Sequence, residues 1–128
     1  MNITYTSLHK GQKALLNRIR MSASDVRSYP RLDVFKACHL ISFDSDLFDN
    51  EVIEMFLRTM PQATGRNMIF YRPFTDALSW DERWAISLIE AVTRADFDSV
   101  YFMISAVVKE KYRHEAMQIA SSMRKISA

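Results

Sequence analysis

The chain has 128 residues and a mass of 14.9 kDa, which is the size of one domain. Hydrophobic residues make up 48% and charged residues 25%, a balance that excludes a disordered or membrane-spanning class. Only two glycines and three prolines occur, and the formal net charge is +2. This composition disfavours an all-β sandwich, which needs frequent turns, and favours helices.

A cytoplasmic protein is expected from the cysteine content and the first residues. Cys38 is the single cysteine, so an intramolecular disulfide is excluded. Residues 1–5 contain no basic segment followed by an apolar core, so we expect no secretory signal. The longest apolar stretch, residues 100–108, interrupted only by Ser105, is much shorter than the roughly 20 residues of a spanning helix. We therefore expect no association with a membrane.

Apolar residues recur at helical spacing along most of the chain. In chain order this spacing predicts helices over residues 7–21, 32–41, 46–60, 79–93, 97–108 and 112–126. Residues 22–25 are expected to cap a further short segment, and Pro61 is expected to end the third helix of this series. The pattern predicts an all-α domain over residues 1–128, a compact bundle of five or six short helices.

The helix over residues 79–93 carries the clearest start signal. Ser79 and Glu82 match a capping box, in which the serine hydroxyl accepts a main-chain amide and the glutamate accepts the amide of the cap residue. The predicted apolar stripe of this helix comprises Trp80, Trp84, Ala85, Leu88, Ile89 and Val92.

Residues 61–78 lack a helical period, and a connection of this length without its own structure is uncommon in a compact domain. Residues 68–71 are predicted to form a strand that pairs with residues 3–6 in a minor two-stranded ribbon. The connection is also rich in the aromatic, methionine and arginine residues that are enriched at protein interfaces. The predicted partner-binding residues are Arg66, Met68, Ile69, Phe70, Tyr71, Arg72 and Phe74. The alternative is that this apolar stretch covers the core of its own chain.

Residues 97–108 are apolar nearly all round the helix, so this helix is expected to be central or partly covered by another polypeptide. Together the two features predict a small non-enzymatic protein-binding domain that acts as an adaptor, regulator or inhibitor of a protein partner. Self-association as a homo-oligomer would satisfy the same physics.

Nucleic-acid binding is the alternative function. Residues 1–36 carry a formal charge of +5, whereas residues 37–64 carry −4. The basic residues of the first block that would contact phosphates are Lys10, Lys13, Arg18, Arg20, Arg27 and Arg31. A solvated basic face explains the same residues, since no base-reading motif accompanies them.

No constellation of residues predicts catalysis, a metal site or a cofactor. Cys38 and His39 are adjacent, but neighbours in a helix point about 100° apart, which does not suit a thiol–imidazole pair. His9 and His114 add no recognised metal-ligand spacing. The sequence also lacks a glycine-rich phosphate loop, a GxSxG elbow and an HExxH helix.

Overall fold

Six α-helices make up most of the chain in the computed structural model, which describes residues 3–43, 47 and 49–125. They are α1 (Lys10–Asp25), α2 (Val34–Phe43), α3 (Asp49–Thr64), α4 (Trp80–Thr93), α5 (Phe97–Val107) and α6 (Arg113–Ser121). Short 3-10 turns cover Tyr5–Ser7, Glu110–Tyr112 and Ser122–Lys125. The fold is all-α, as the sequence predicts.

The core lies between α3 and α4 and is closed by the other helices. α3 packs on α1, α2 and α6, while α4 packs on α1, α5, α6 and the last 3-10 turn. The largest side chains sealed in this core include Leu16, Ile19, Ile53, Phe56, Met60, Leu88, Ile89, Ile104, Ile119 and Met123. The Phe56 and Trp84 rings stack with centroids 6.2 Å apart. The apolar faces predicted from helical spacing therefore meet in one core.

The start of α4 agrees with its sequence signal. The Ser79 hydroxyl accepts the Glu82 amide at 3.0 Å, and a Glu82 carboxylate oxygen accepts the Ser79 amide at 3.0 Å. α5 begins in a similar way, because the Asp96 carboxylate accepts the Ser99 amide at 3.3 Å. The starts of α4 and α5 are each fixed by residues three apart in sequence, so a local sequence pattern can identify them.

Three helices extend beyond their predicted ends, α2 by two residues, to Phe43. α1 continues through residues 22–25, which were expected to cap a separate segment, and it begins after His9, whose ring nitrogen accepts the Gln12 amide. α3 continues past Pro61, so the prediction that this proline ends the helix is wrong. The last turn of α3 is held by tertiary contacts, since the Gln62 side chain bonds both the Val34 amide and the Asp33 carboxylate. The predicted boundaries Asp46 and Ile126 lie outside the described residues.

The predicted ribbon is replaced by a single pairing at a different position. In the part of the chain that the structure describes there is no strand, and the one isolated β-bridge joins Thr4 to Ala77. The Tyr5 amide also donates to the Asp76 carbonyl at 2.6 Å. The N-terminal segment thus meets the end of the 61–78 connection and not residues 68–71, whose main chain is bound by side chains of α4.

Candidate protein-binding site

The connection between α3 and α4 is irregular but has a fixed course. We call residues 66–78 the connecting loop. The Ile69 amide donates to Asp81 at 2.7 Å, and the Ile69 carbonyl accepts the Ser79 hydroxyl at 2.5 Å. The Tyr71 amide donates to Glu82 at 2.9 Å. Polar side chains at the start of α4 therefore replace the main-chain partners that a helix or strand would supply.

A buried ion pair binds the second half of the connecting loop, residues 75–78. The Arg20 and Glu82 side chains are both fully buried, with Nε and Oε2 2.7 Å apart and Nη2 and Oε1 3.1 Å apart. Arg20 also donates to the Thr75 carbonyl at 2.7 Å and to the Ala77 carbonyl at 2.9 Å. Glu82 also accepts the Tyr71 amide, so each charge of the pair is bonded to main chain as well as to its partner. The pair therefore joins α1, α4 and both halves of the loop.

A second, more exposed pair fixes the start of the loop. The Arg66 guanidinium donates to both oxygens of Asp81, at 2.6 and 3.1 Å, and the Asp81 side chain is buried. Burial raises the pKa of this carboxyl, but the bonds from Arg66 and from the Ile69 amide outweigh burial, so the pKa lies below its usual range. Asp81 therefore stays ionised near neutral pH and holds the loop on α4.

The tip of the loop is a tight turn that displays a phenylalanine. The Thr75 amide donates to the Arg72 carbonyl at 3.3 Å, with Pro73 and Phe74 at the two central positions. Phe74 has a φ of +72° and a relative exposure of 102%. Proline followed by a residue of positive φ is the pattern of a type II turn, whose third position normally holds glycine. Phe74 thus combines an exposed ring with a backbone conformation that bulky side chains disfavour.

The predicted binding residues divide between the core and the surface. Met68 and Phe70 are half-buried and pack against the core, as the alternative interpretation expects for part of the loop. Tyr71 is half-buried, and Arg66 and Arg72 are exposed. Ile69 is 56% exposed, and its main chain bonds Ser79 and Asp81, the neighbours of Trp80.

Trp80 belongs to the surface of the site, although the sequence pattern placed it in the apolar stripe of α4. Its side chain is 59% exposed because it lies three and seven residues before the exposed Arg83 and Ser87, on the solvent-facing side of the helix. The polar residues Arg83 and Ser87, at helical spacing from Trp80, are the signal that could have identified its exposure. The exposed large apolar side chains of the loop and of the first residue of α4 are Ile69, Phe74 and Trp80.

The basic residues proposed for nucleic-acid contact do not form one free surface. The prediction that Arg20 contacts phosphates is wrong, because its side chain is buried with that of Glu82. Arg27 donates to the Phe70 carbonyl and Arg31 to the Asn67 side chain, so both lie against the connecting loop. The others are spread along α1: Lys10 is exposed, Lys13 lies over the Tyr5 ring, and Arg18 bonds Asn50 and lies 3.8 Å from Asp49.

The helix predicted to be central or covered, α5, has one buried face and one open face. Val100 and Ile104 are sealed in the core, whereas Phe97, Tyr101 and Phe102 are exposed, Phe102 to 73%. α5 is therefore not central, and large apolar side chains remain on its open face. The main chain of α5 is anchored to α4 through the Trp84 indole, which donates to the Met103 carbonyl at 3.0 Å.

Cys38 has the surroundings of a structural thiol. It is buried, and its sulfur donates to the Gln118 side chain at 2.7 Å. Burial, and then the Glu115 carboxylate, raise the pKa of the thiol, which opposes formation of the nucleophilic thiolate. His39 is exposed and packs on the Phe43 ring, 4.5 Å between centroids.

The described residues contain neither a metal-binding cluster nor a candidate membrane-spanning helix. No group of three or more His, Cys, Asp or Glu side chains there is placed to hold a metal ion. No helix over the same residues combines the length and apolar character needed to cross a bilayer. Comparison with known proteins found no matching family, characterised protein or solved structure.

Proposed function

We propose that this chain is a small protein-binding domain that acts as an adaptor, regulator or inhibitor of a protein partner through its connecting loop. Phe74 is the anchor of the interaction, with Ile69 and Trp80 beside the loop base and Arg66 and Arg72 at its polar rim. The observation that supports this proposal is the fully exposed Phe74 ring at a φ of +72°.

Phe74 combines a left-handed backbone with a fully exposed ring, and both features are unfavourable for the isolated chain. A binding partner would provide the reason for them. A left-handed backbone costs a residue other than glycine roughly 1–2 kcal/mol, and the exposed ring contributes no burial energy to the monomer. A partner that buries the ring would gain about 1.5–3 kcal/mol. The contacts of Asp81, Glu82 and Arg20 hold the loop before binding, which lowers the entropy that association costs.

The test is affinity capture from nuclease-treated native lysate with the wild-type chain and the Phe74→Gly variant. Glycine removes the anchor and suits the positive φ, so this variant should fold at least as well as the wild type and lose the captured protein. Persistence of the same captured protein with Phe74→Gly would contradict the proposal. Capture that occurs in untreated lysate but not in nuclease-treated lysate would favour the nucleic-acid alternative.

Ala95→Gly is the matched control for backbone strain. Ala95 follows α4 with a φ of +57°, and the amides of Ala95 and Asp96 donate to the carbonyls of Val92 and Ala91. These are the bonds of a Schellman motif, in which glycine normally takes the left-handed position. Ala95→Gly should therefore relieve similar strain and retain the captured protein, which separates loss of the anchor from a change in stability.

A further inference from the structure

A pocket lined by residues of α2 and α3 has the properties that an anchor such as Phe74 requires. It lies between α2, α3 and the segment before α2, with a volume of about 310 Å³. Its apolar lining residues are Leu32, Leu40, Leu47 and Met55, and its charged lining residues are Glu51, Glu54 and Arg58. Its volume is at the lower end of the roughly 300–1,000 Å³ of small-molecule sites, so one phenyl ring fits. We call it the α2–α3 pocket.

The charge of the connecting loop is opposite to the charge of the pocket rim. Arg72 is the first residue of the Phe74 turn, and the Arg27 guanidinium bonds the Phe70 carbonyl, whereas the charge of Arg66 is paired with Asp81. The one exposed acid within residues 66–78 is Asp76. At the pocket, Glu51 is exposed and Glu54 half-exposed, while Arg58 is engaged with the Pro30 carbonyl. Apolar centre and charged rim are therefore complementary between the two surfaces.

Phe74 does not occupy the pocket of its own chain. Its ring is fully exposed, and the next residue is fixed to α1 by the bond from Arg20 to the Thr75 carbonyl. Insertion within one chain would break the contacts that define the loop. The complementary surfaces can meet without that rearrangement when they belong to two copies of the chain.

We propose that the α2–α3 pocket receives Phe74 from a second copy of this chain, with Arg72 facing Glu54. This inference rests on the proposed function and names a second copy as the partner of the loop. The contact joins two different surfaces, so each copy carries one anchor and one pocket. Copies then either pair through two reciprocal contacts or extend in a head-to-tail series.

Sedimentation equilibrium of the purified full chain over a wide concentration range tests the contact. The weight-average mass of the wild type should rise with concentration, and that of Ala95→Gly should rise equally. Phe74→Gly, which lacks the anchor, and Glu54→Lys, which alters the pocket rim, should each lower the association constant by about tenfold or more. Asp98→Lys, an equal charge change at an exposed residue of α5, which packs on α4 and α6, should leave association at the wild-type level.

Mixing experiments then test which surfaces meet. Phe74→Gly lacks the anchor but keeps the pocket. Glu54→Lys keeps the anchor, but its altered pocket rim repels Arg72 of another copy. The Arg72→Glu chain should therefore associate weakly alone and regain association when mixed with Glu54→Lys, because the charges are then exchanged. Recovery in this mixture would support the contact, and absence of recovery with both chains folded would overturn it.

A wild-type chain that stays monomeric at every concentration would also overturn the inference. If capture from lysate still depends on Phe74 in that case, the proposed function stands and the loop binds a different protein. If neither self-association nor capture depends on Phe74, the proposed function fails together with the inference. Circular dichroism of each variant establishes that it is folded before either result is interpreted.

Discussion

Removal of one member of the buried Arg20–Glu82 pair should destabilise the fold strongly. Arg20→Met leaves the Glu82 carboxylate in the core with the Tyr71 and Ser79 amides as its remaining partners. It also leaves the Thr75 and Ala77 carbonyls without the donors that the guanidinium supplies. Loss of one partner from a buried pair costs about 3–5 kcal/mol, which is a large part of the roughly 5–15 kcal/mol that stabilises a domain.

The double variant Arg20→Met/Glu82→Met measures how much of that cost comes from the unpaired charge. With both charges absent, no lone ion remains in the core, so the double variant should lose less stability than the two single variants added together. The difference is the coupling energy, which for residues in one such network is about 0.5–3 kcal/mol. Part of the cost should remain, since the loop groups still lack partners.

Urea unfolding followed by far-ultraviolet circular dichroism is the assay, and Arg94→Met is the control. Arg94 lies 3.9 Å from Asp96 in an exposed pair, and its removal should cost at most about 1 kcal/mol. A loss for Arg20→Met that is as small as the loss for Arg94→Met would refute the argument, because the buried pair would then not hold the loop. If Arg20→Met does not fold, Glu82→Gln keeps the shape of the side chain and tests the same contact.

Three further changes have expected outcomes. Folding lowers the pKa of Asp81. The contribution of the ionised carboxylate to stability is therefore complete above the unfolded pKa near 3.8 and is lost as the pH falls through the folded pKa. The stability difference between the wild type and Asp81→Asn should shrink in acid, and a difference independent of pH would contradict this. Gly65→Ala should cost about 1–2 kcal/mol because its φ is +77°; the flexible end of the Lys109 side chain, 2.6 Å from the new Cβ, can move aside. Gly11→Ala, in α1 with room for a methyl group, should instead stabilise the fold by about 0.5–1 kcal/mol, and equal effects would be contrary to expectation. The Cys38 thiol should react with a thiol reagent much more slowly in the folded chain than in urea at neutral pH, and equal rates would show that it is accessible.

Local signals predicted the helical fold well. The Ser79–Glu82 capping box and the Asp96 cap involve residues three apart, so the information needed to predict them lies within one turn of chain. The extension of α3 past Pro61 depends on Gln62 reaching residues 28 and 29 positions away, which periodicity does not report. The end of α3 was therefore misplaced because it depends on contacts that are distant in sequence.

The candidate site was predicted in part. The loop residues were identified from composition, but not which of them face the core: Phe70 is half-buried and Phe74 fully exposed. Arg20 was assigned to the polar side of its helix, although it stands four residues after buried Leu16 and three before buried Ala23. That spacing was the available signal for burial. Its partner Glu82 is 62 residues away, so the pairing required the fold.

The central claim is that the connecting loop is preformed in the free chain, and amide hydrogen exchange of the isolated protein tests it most directly. The Ile69 and Tyr71 amides donate to Asp81 and Glu82, outside any helix or strand. Both should exchange far more slowly than amides of an unstructured peptide, in step with the first turn of α4. Exchange of both amides at the unstructured rate, with the helices protected, would contradict the account.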